Sequence, residues 1–173
     1  MSIYGLMDAG TINIALKECL EQCWGVDKHT AVYICTKLSS LDEYPNGRDI
    51  INEFITKSEL LNIDFTTNKE PKSLPKMDAV LEAPKEHKIV FENPYVRILL
   101  VSVAPGEREP FHVHAWHRFC IVMKSTTYKE ELENGTCIEE FPVGFYDLPG
   151  GDYGAYTNVG EHADESLLFE IKD

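Results

Sequence analysis

Gly106-Glu107-Arg108-Glu109-Pro110-Phe111-His112-Val113-His114 decides how this chain is read. It follows an apolar run, residues 96–103, that breaks at Ala104-Pro105-Gly106. Proline lacks a backbone donor and glycine tolerates unusual φ values, so Pro105-Gly106 marks a turn. Side chains alternate along a strand, so two histidines at i and i+2 point to one face. His112 and His114 therefore stand side by side, at the spacing a metal ion uses.

Working outward, the pattern from Lys88 onward is β. Ile89-Val90-Phe91 is a short strand closed by Asn93-Pro94. Residues 95–103 are dense in Val, Ile and Leu, which predicts a strand buried on both faces for part of its length. Residues 112–114, 119–123, 126–131, 137–141, 145–148 and 166–171 continue the series. Asn134-Gly135 is a hairpin turn, and Pro149-Gly150-Gly151 and Val159-Gly160 supply further turns. Short strands with frequent turns predict a sandwich or barrel.

Upstream, residues 11–65 read as helical. Thr11 is a plausible N-cap before Leu16, Cys19, Leu20, Cys23 and Trp24 at helical spacing, and Gly25 ends that helix. Residues 30–38 predict a second helix, and Asp49 is read as the cap of a third. Residues 66–84 are polar and proline-bearing, as suits a linker. The expected organisation is a helical N-terminal segment over 1–65, a linker over 66–84 and a β-barrel over 85–173.

The chain has 173 residues and a formal net charge of −13. Residues 1–76 hold 8 basic and 11 acidic side chains, and residues 77–173 hold 8 and 18. An acidic surface repels phosphate backbones and anionic lipid, so nucleic acid and membrane are excluded as expected partners. The N-terminus shows neither a basic stretch nor an apolar core, so no signal peptide is read there. Five cysteines without a Cys-x-x-Cys pair argue for a reducing compartment, and a cytoplasmic location is expected. Cys19 and Cys23 share a helix face as small apolar residues. A zinc site there needs two more ligands, and only His29 offers itself.

The β-rich part resembles the cupin superfamily, over about residues 85–173. The first cupin motif begins with Gly, five residues and His-x-His, which Gly106, His112 and His114 match. The second contains Pro-x-Gly, two residues, His, three residues and Asn. Here Pro149-Gly150-Gly151 and Asn158 match, while Gly154 stands at the histidine and Gly144 is one residue too close to Pro149. Phe91-Glu92-Asn93-Pro94-Tyr95-Val96-Arg97 and Asn158-Val159-Gly160 resemble the motif flanks. The resemblance implies a mainly β fold, a jelly-roll double-stranded β-helix, carrying an N-terminal α-helical segment. It also implies a homodimer.

In metal-binding cupins the ligands are both histidines of the first motif, a glutamate, and the histidine of the second. His112 and His114 fill two positions. The glutamate position falls at Arg118 or Phe119 and the last histidine position at Gly154, so the motif is incomplete. His117, if Ala115-Trp116 bends, and Asp152, two residues before Gly154, are the substitutes. The candidate metal residues are therefore His112 and His114 with His117, a three-histidine set, or with Asp152, a two-histidine-one-carboxylate set, for one divalent transition metal such as Zn, Fe, Ni or Mn. Phe111, Trp116 and Tyr156 are the expected ligand-binding residues.

Three functions follow as expectations. The first is a cupin-like protein binding a small molecule beside an incomplete metal site. The second is a metal-dependent oxygenase or isomerase using His112 and His114. The third is an interaction module acting through the N-terminal helices. Cys120 is read as a packed thiol. Glu107, Arg108 and Glu109 are read as solvated loop charges, Arg97 as the partner of a carboxylate, and His87 and His162 as loop residues.

Overall fold

The computed structural model describes residues 9–68, 70 and 73–172. The N-terminal stretch read for a leader, the side chain of Thr11 and part of the linker lie outside these. The chain divides into two compact units, residues 1–68 and 69–173.

The first unit carries α1 (Ala9–Cys23), α2 (Lys28–Leu38) and α3 (Gly47–Glu59), with a 3-10 turn at Ser39–Glu43. Gly25 follows α1 at φ +62°, a conformation that side chains with a Cβ rarely adopt. Asp27 caps α2, its Oδ1 accepting from the amides of His29 and Thr30 at 3.0 Å each. Asp49 is not the cap of α3: the helix starts at Gly47 and Asp49 lies in its first turn, where a carboxylate favours the positive end of the helix. Trp24 stacks on Phe54 with ring centres 6.0 Å apart, and its Nε1 donates to Ser58 Oγ at 2.9 Å. Leu16, Leu20, Ile34 and Ile55 complete this small core. Among the described residues, Cys19 and Cys23 join no group of metal-ligating side chains.

The second unit begins with a helical turn, α4 (Ala79–Glu82), inside the stretch read as linker. Nine strands follow: β1 (His87–Glu92), β2 (Val96–Val101), β3 (His112–His114), β4 (Arg118–Lys124), β5 (Thr126–Leu132), β6 (Gly135–Phe141), β7 (Gly144–Leu148), β8 (Asp152–Asn158) and β9 (Glu165–Ile171). They form two antiparallel sheets, in the orders β1-β2-β9-β4-β7 and β3-β8-β5-β6. With β1 set aside as an added edge, β2-β9-β4-β7 and β3-β8-β5-β6 interleave in the order of an eight-stranded jelly roll. The fold is therefore mainly β, a double-stranded β-helix with helices N-terminal to it. Among the described residues, no helix is long and apolar enough to cross a membrane.

β8 is the strand that the turn-rich composition of 149–160 concealed. It pairs β3 through His112↔Gly154, Val113↔Tyr153 and His114↔Asp152. β2 is buried along nearly its whole length, as its apolar run predicts. Leu99, Val101, Cys120, Val122 and Leu168 form one buried cluster. Each such side chain contributes roughly 1.5–3 kcal/mol when removed from water.

β1 and β3 are edge strands of different sheets, and residues 77–86 connect them. Val113 N donates to Met77 O at 2.7 Å, and Asp78 bridges to Val113, which ties this segment to β3. Asp78 then caps α4 by accepting from Val80 N at 3.0 Å, and His87 N donates to Ala83 O at 3.0 Å as β1 opens. This connection brings the first residue of β1 to the histidines of β3.

Candidate metal centre and its cavity

His87, His112 and His114 converge. One ligand atom from each lies within 4.8 Å of the others, and all three residues are buried. The ring centres are 4.9 Å apart for His87 and His112, 5.1 Å for His87 and His114, and 5.1 Å for His112 and His114. His87 arrives from the edge of one sheet and the other two from the edge of the second.

The outer nitrogen of each ring is occupied. His112 Nδ1 donates to Pro110 O at 2.9 Å, and His87 Nδ1 to Ala83 O at 3.2 Å. His114 Nδ1 donates to Glu170 Oε1 at 3.1 Å. A carbonyl or carboxylate oxygen only accepts, so each Nδ1 carries the proton and each Nε2 keeps its lone pair. Burial pushes all three imidazoles below the ordinary histidine range. Mutual repulsion adds to this, since a proton on one ring disfavours a proton on the next, His114 against His87 above all, and the Arg118 charge acts likewise on His114. Neutral rings with free Nε2 atoms are what a divalent transition metal needs, and outer acceptors that fix the tautomer are its usual support. The donor set fits such a metal.

Behind His114 lies a wholly buried ionic network. Arg97 forms a bidentate pair with Asp78, at 3.0 Å on both arms, and its Nε donates to Glu170 Oε2 at 2.5 Å. Trp116 lies over the Arg97 guanidinium, 4.7 Å from ring centre to Cζ, and 5.5 Å from Lys172 Nζ. The network thus links α4, β2 and β9 to the ring that β3 presents.

The three histidines line a cavity of about 410 Å³. Its walls come from both sheets, with Val101, Cys120, Leu148 and Leu168 on one and Tyr128, Glu130 and Tyr156 on the other. A small molecule of ordinary metabolite size fits such a volume. Glu109 also lines it, 4% exposed and 3.4 Å from His87 Nδ1, with no hydrogen bond to its Oε1. Burial, with Asp164 and Glu86 nearby, pushes its carboxyl up to about 8. Burial likewise holds the Cys120 thiol up at about 12, so it is a packed side chain and not a nucleophile.

The sequence-derived residues are distributed as follows. His112, His114 and Asp152 reach the cavity, as does Tyr156. Asp152 Oδ2 accepts from Arg118 Nη2 at 2.5 Å and stands outside the histidine cluster. His117 is not brought in. The chain does not swing it inward at Ala115-Trp116, and its Nε2 meets Asp147 Oδ1 at 2.6 Å on a part-exposed face. Phe111 stacks on Tyr153 at 5.3 Å and Trp116 sits under Arg97, so neither forms a cavity wall. Arg118, at the family's glutamate position, lines the cavity and also donates to Pro149 O at 3.0 Å. At Gly154, the position of the histidine in the second cupin motif, a Cβ would meet Leu132 Cδ2 at 3.0 Å and Tyr156 Oη at 3.2 Å.

Two residues escaped the sequence reading. His87 is not a loop residue but opens β1, 4% exposed, and Glu109 is not a solvated charge but a buried acid. His87 lies 25 residues before His112 and reaches it only through the 77–86 connection, which no local pattern announces. Glu109 lies before β3, where Pro110 breaks the pattern, so no strand parity announces that it turns inward.

Fold and site together define a cupin-like jelly roll with a histidine-lined cavity. No family model matches the chain, and no curated protein matches it. Solved structures similar to it include proteins described as cupins. A cupin domain from Bordetella pertussis Tohama I is 18% identical over 62% of this chain and 100% of its own, with a TM-score of 0.47. The polyketide cyclase RemF from Streptomyces resistomycificus is 17% identical over 63% and 81%, with a TM-score of 0.43. An RmlC-like cupin from Methanocaldococcus jannaschii is 14% identical over 63% and 93%, with a TM-score of 0.40. The architecture itself rests on the strand order and register of this chain.

Proposed function

We propose that this chain is a metal-dependent cupin enzyme acting on a small organic molecule, with His87, His112 and His114 as the protein ligands of one divalent transition metal. The observation that carries this reading is the convergence of three buried imidazoles, one ligand nitrogen from each within 4.8 Å of the others and each Nδ1 held by an oxygen acceptor, at a cavity able to hold a substrate. Three protein ligands with open positions are the pattern of catalytic sites, while structural sites are closed by a fourth. When bound, the metal supplies Lewis acidity toward an oxygen of the substrate.

The remaining roles belong to the chain. Glu170 and Pro110 O orient His114 and His112. Glu109, a lining residue of the cavity, holds a buried carboxyl beside His87 with no hydrogen bond to its Oε1, and is the chain's candidate for exchanging a proton with a bound molecule. Val101, Leu148 and Leu168 form an apolar wall of the same cavity. An oxygenase or an isomerase fits this equipment.

The reading is tested by loading the chelator-treated chain with Co²⁺ and following the visible absorption bands as neutral acetohydroxamic acid is added. A spectral change on addition is expected, because coordination positions face the cavity. A Co²⁺ spectrum that does not respond indicates a closed structural site and contradicts the reading.

A further inference from the structure

One end of the cavity is built differently from the histidine end. The Tyr128 ring stands nearly perpendicular to those of Phe141 and Tyr156. Tyr128 and Phe141 have ring centres 5.7 Å apart at 77°, and Tyr128 and Tyr156 are 6.1 Å apart at 80°. Tyr156 in turn lies 5.6 Å from the His112 ring, so this corner borders the candidate metal centre. All three rings line the cavity.

Carboxylates complete the corner. Tyr128 and Glu130 are two apart on β5 and share a face, and Glu130 lies directly across from Tyr156 on β8. Glu130 is 7% exposed and lines the cavity. Its hydrogen-bonding contact is Cys137 Sγ at 3.9 Å, and among the described residues no Lys, Arg or His pairs with it. Glu109, whose Oε1 makes no hydrogen bond and lies 3.4 Å from His87 Nδ1, adds a second buried carboxylate to the cavity lining. The two cationic side chains of the cavity are already engaged, Arg118 with Asp152 at 2.5 Å and Lys124 with Glu165 at 3.4 Å.

Aromatic faces carry negative potential, and a ring corner closed by a carboxylate attracts an organic cation. A buried carboxylate without a counter-ion is costly, and a ligand that brings the positive charge removes that cost. The rings offer no lone pairs directed at a metal ion, so the occupant they suit is an alkylammonium group. We propose that this corner is the subsite for a positively charged nitrogen of the substrate, with Glu130 as counter-ion and Tyr128, Phe141 and Tyr156 as its walls. This rests on the reading of the cavity as a substrate site and narrows the substrate to organic cations.

The test compares choline with its neutral carbon isostere, in which a tert-butyl group replaces trimethylammonium, by calorimetric titration of the full-length, chelator-treated chain. Choline is expected to bind about tenfold or more tightly than the isostere. Glu130→Gln should erase that preference, and Phe141→Leu should reduce it, each with a thermal midpoint close to that of the unchanged chain. Equal affinity for the two compounds overturns the subsite and leaves the cavity reading standing. Binding of neither compound also overturns the subsite, while the cavity reading stands or falls on the response of the Co²⁺ spectrum. A preference for choline that survives in Glu130→Gln overturns the role given to that residue.

Discussion

Glu170 holds His114 through one oxygen and Arg97 through the other, at 3.1 Å and 2.5 Å. One carboxylate therefore orients a ring facing the cavity and neutralises a guanidinium that is 0% exposed. Glu170→Gln keeps the shape and loses the charge. Metal affinity is expected to fall about 10–100-fold, the usual consequence of weakening an outer carboxylate. Stability falls as well, by less than the roughly 3–5 kcal/mol of a broken buried pair, because Asp78 still pairs Arg97 on two arms. Metal titration and urea unfolding measure the two effects. Unchanged affinity would remove Glu170 from the support of the site.

Asp164 gives a pH test independent of the histidines. Burial holds its carboxyl above the ordinary value of 3.8, although Val103 N donates to it at 2.6 Å. The folded state thus favours the protonated form. The stability this confers is complete below the unfolded value and is lost as pH rises through the folded one. Asp164→Asn keeps an acceptor for Val103 N and cannot ionise. The variant should therefore gain on the unchanged chain as pH rises from about 3 to about 8. Urea unfolding at several pH values reads the difference, and a flat difference contradicts it.

Gly154 invites an attempt to restore the missing family histidine. Its Cβ position is already crowded by Leu132, Tyr156 Oη and the backbone oxygen of Glu131, at 3.0, 3.2 and 3.3 Å. Gly154→His should lower the thermal midpoint, since overpacking costs about 1–3 kcal/mol, without raising metal affinity. A variant of unchanged stability that binds metal more tightly would show that the position still accepts a ligand.

These tests separate what was readable in the chain from what was not. Alternation and turn residues revealed most strands, and Gly106 with His112-x-His114 revealed the face on which two ligands stand. β8 stayed hidden because Gly150, Gly151 and Gly154 carry turn chemistry into a strand whose partners, β3 and β5, are distant in sequence. His87, Glu109 and the partners of Arg97 were illegible for the same reason. Asp78 and Glu170 lie 19 and 73 residues from Arg97, and only the closing of two sheets by the 77–86 connection makes them neighbours. His117 becomes a ligand only if Ala115-Trp116 bends inward; it instead meets Asp147, which lies 30 residues away in sequence.

The central claim is that His87, and not His117, completes the pair His112 and His114. Metal content of the purified, untagged chain by elemental analysis, after loading with Zn²⁺, tests it most directly. About one equivalent is predicted for the unchanged chain and for His117→Ala, with none retained by His87→Ala. Metal kept by His87→Ala, or lost by His117→Ala, would contradict the account.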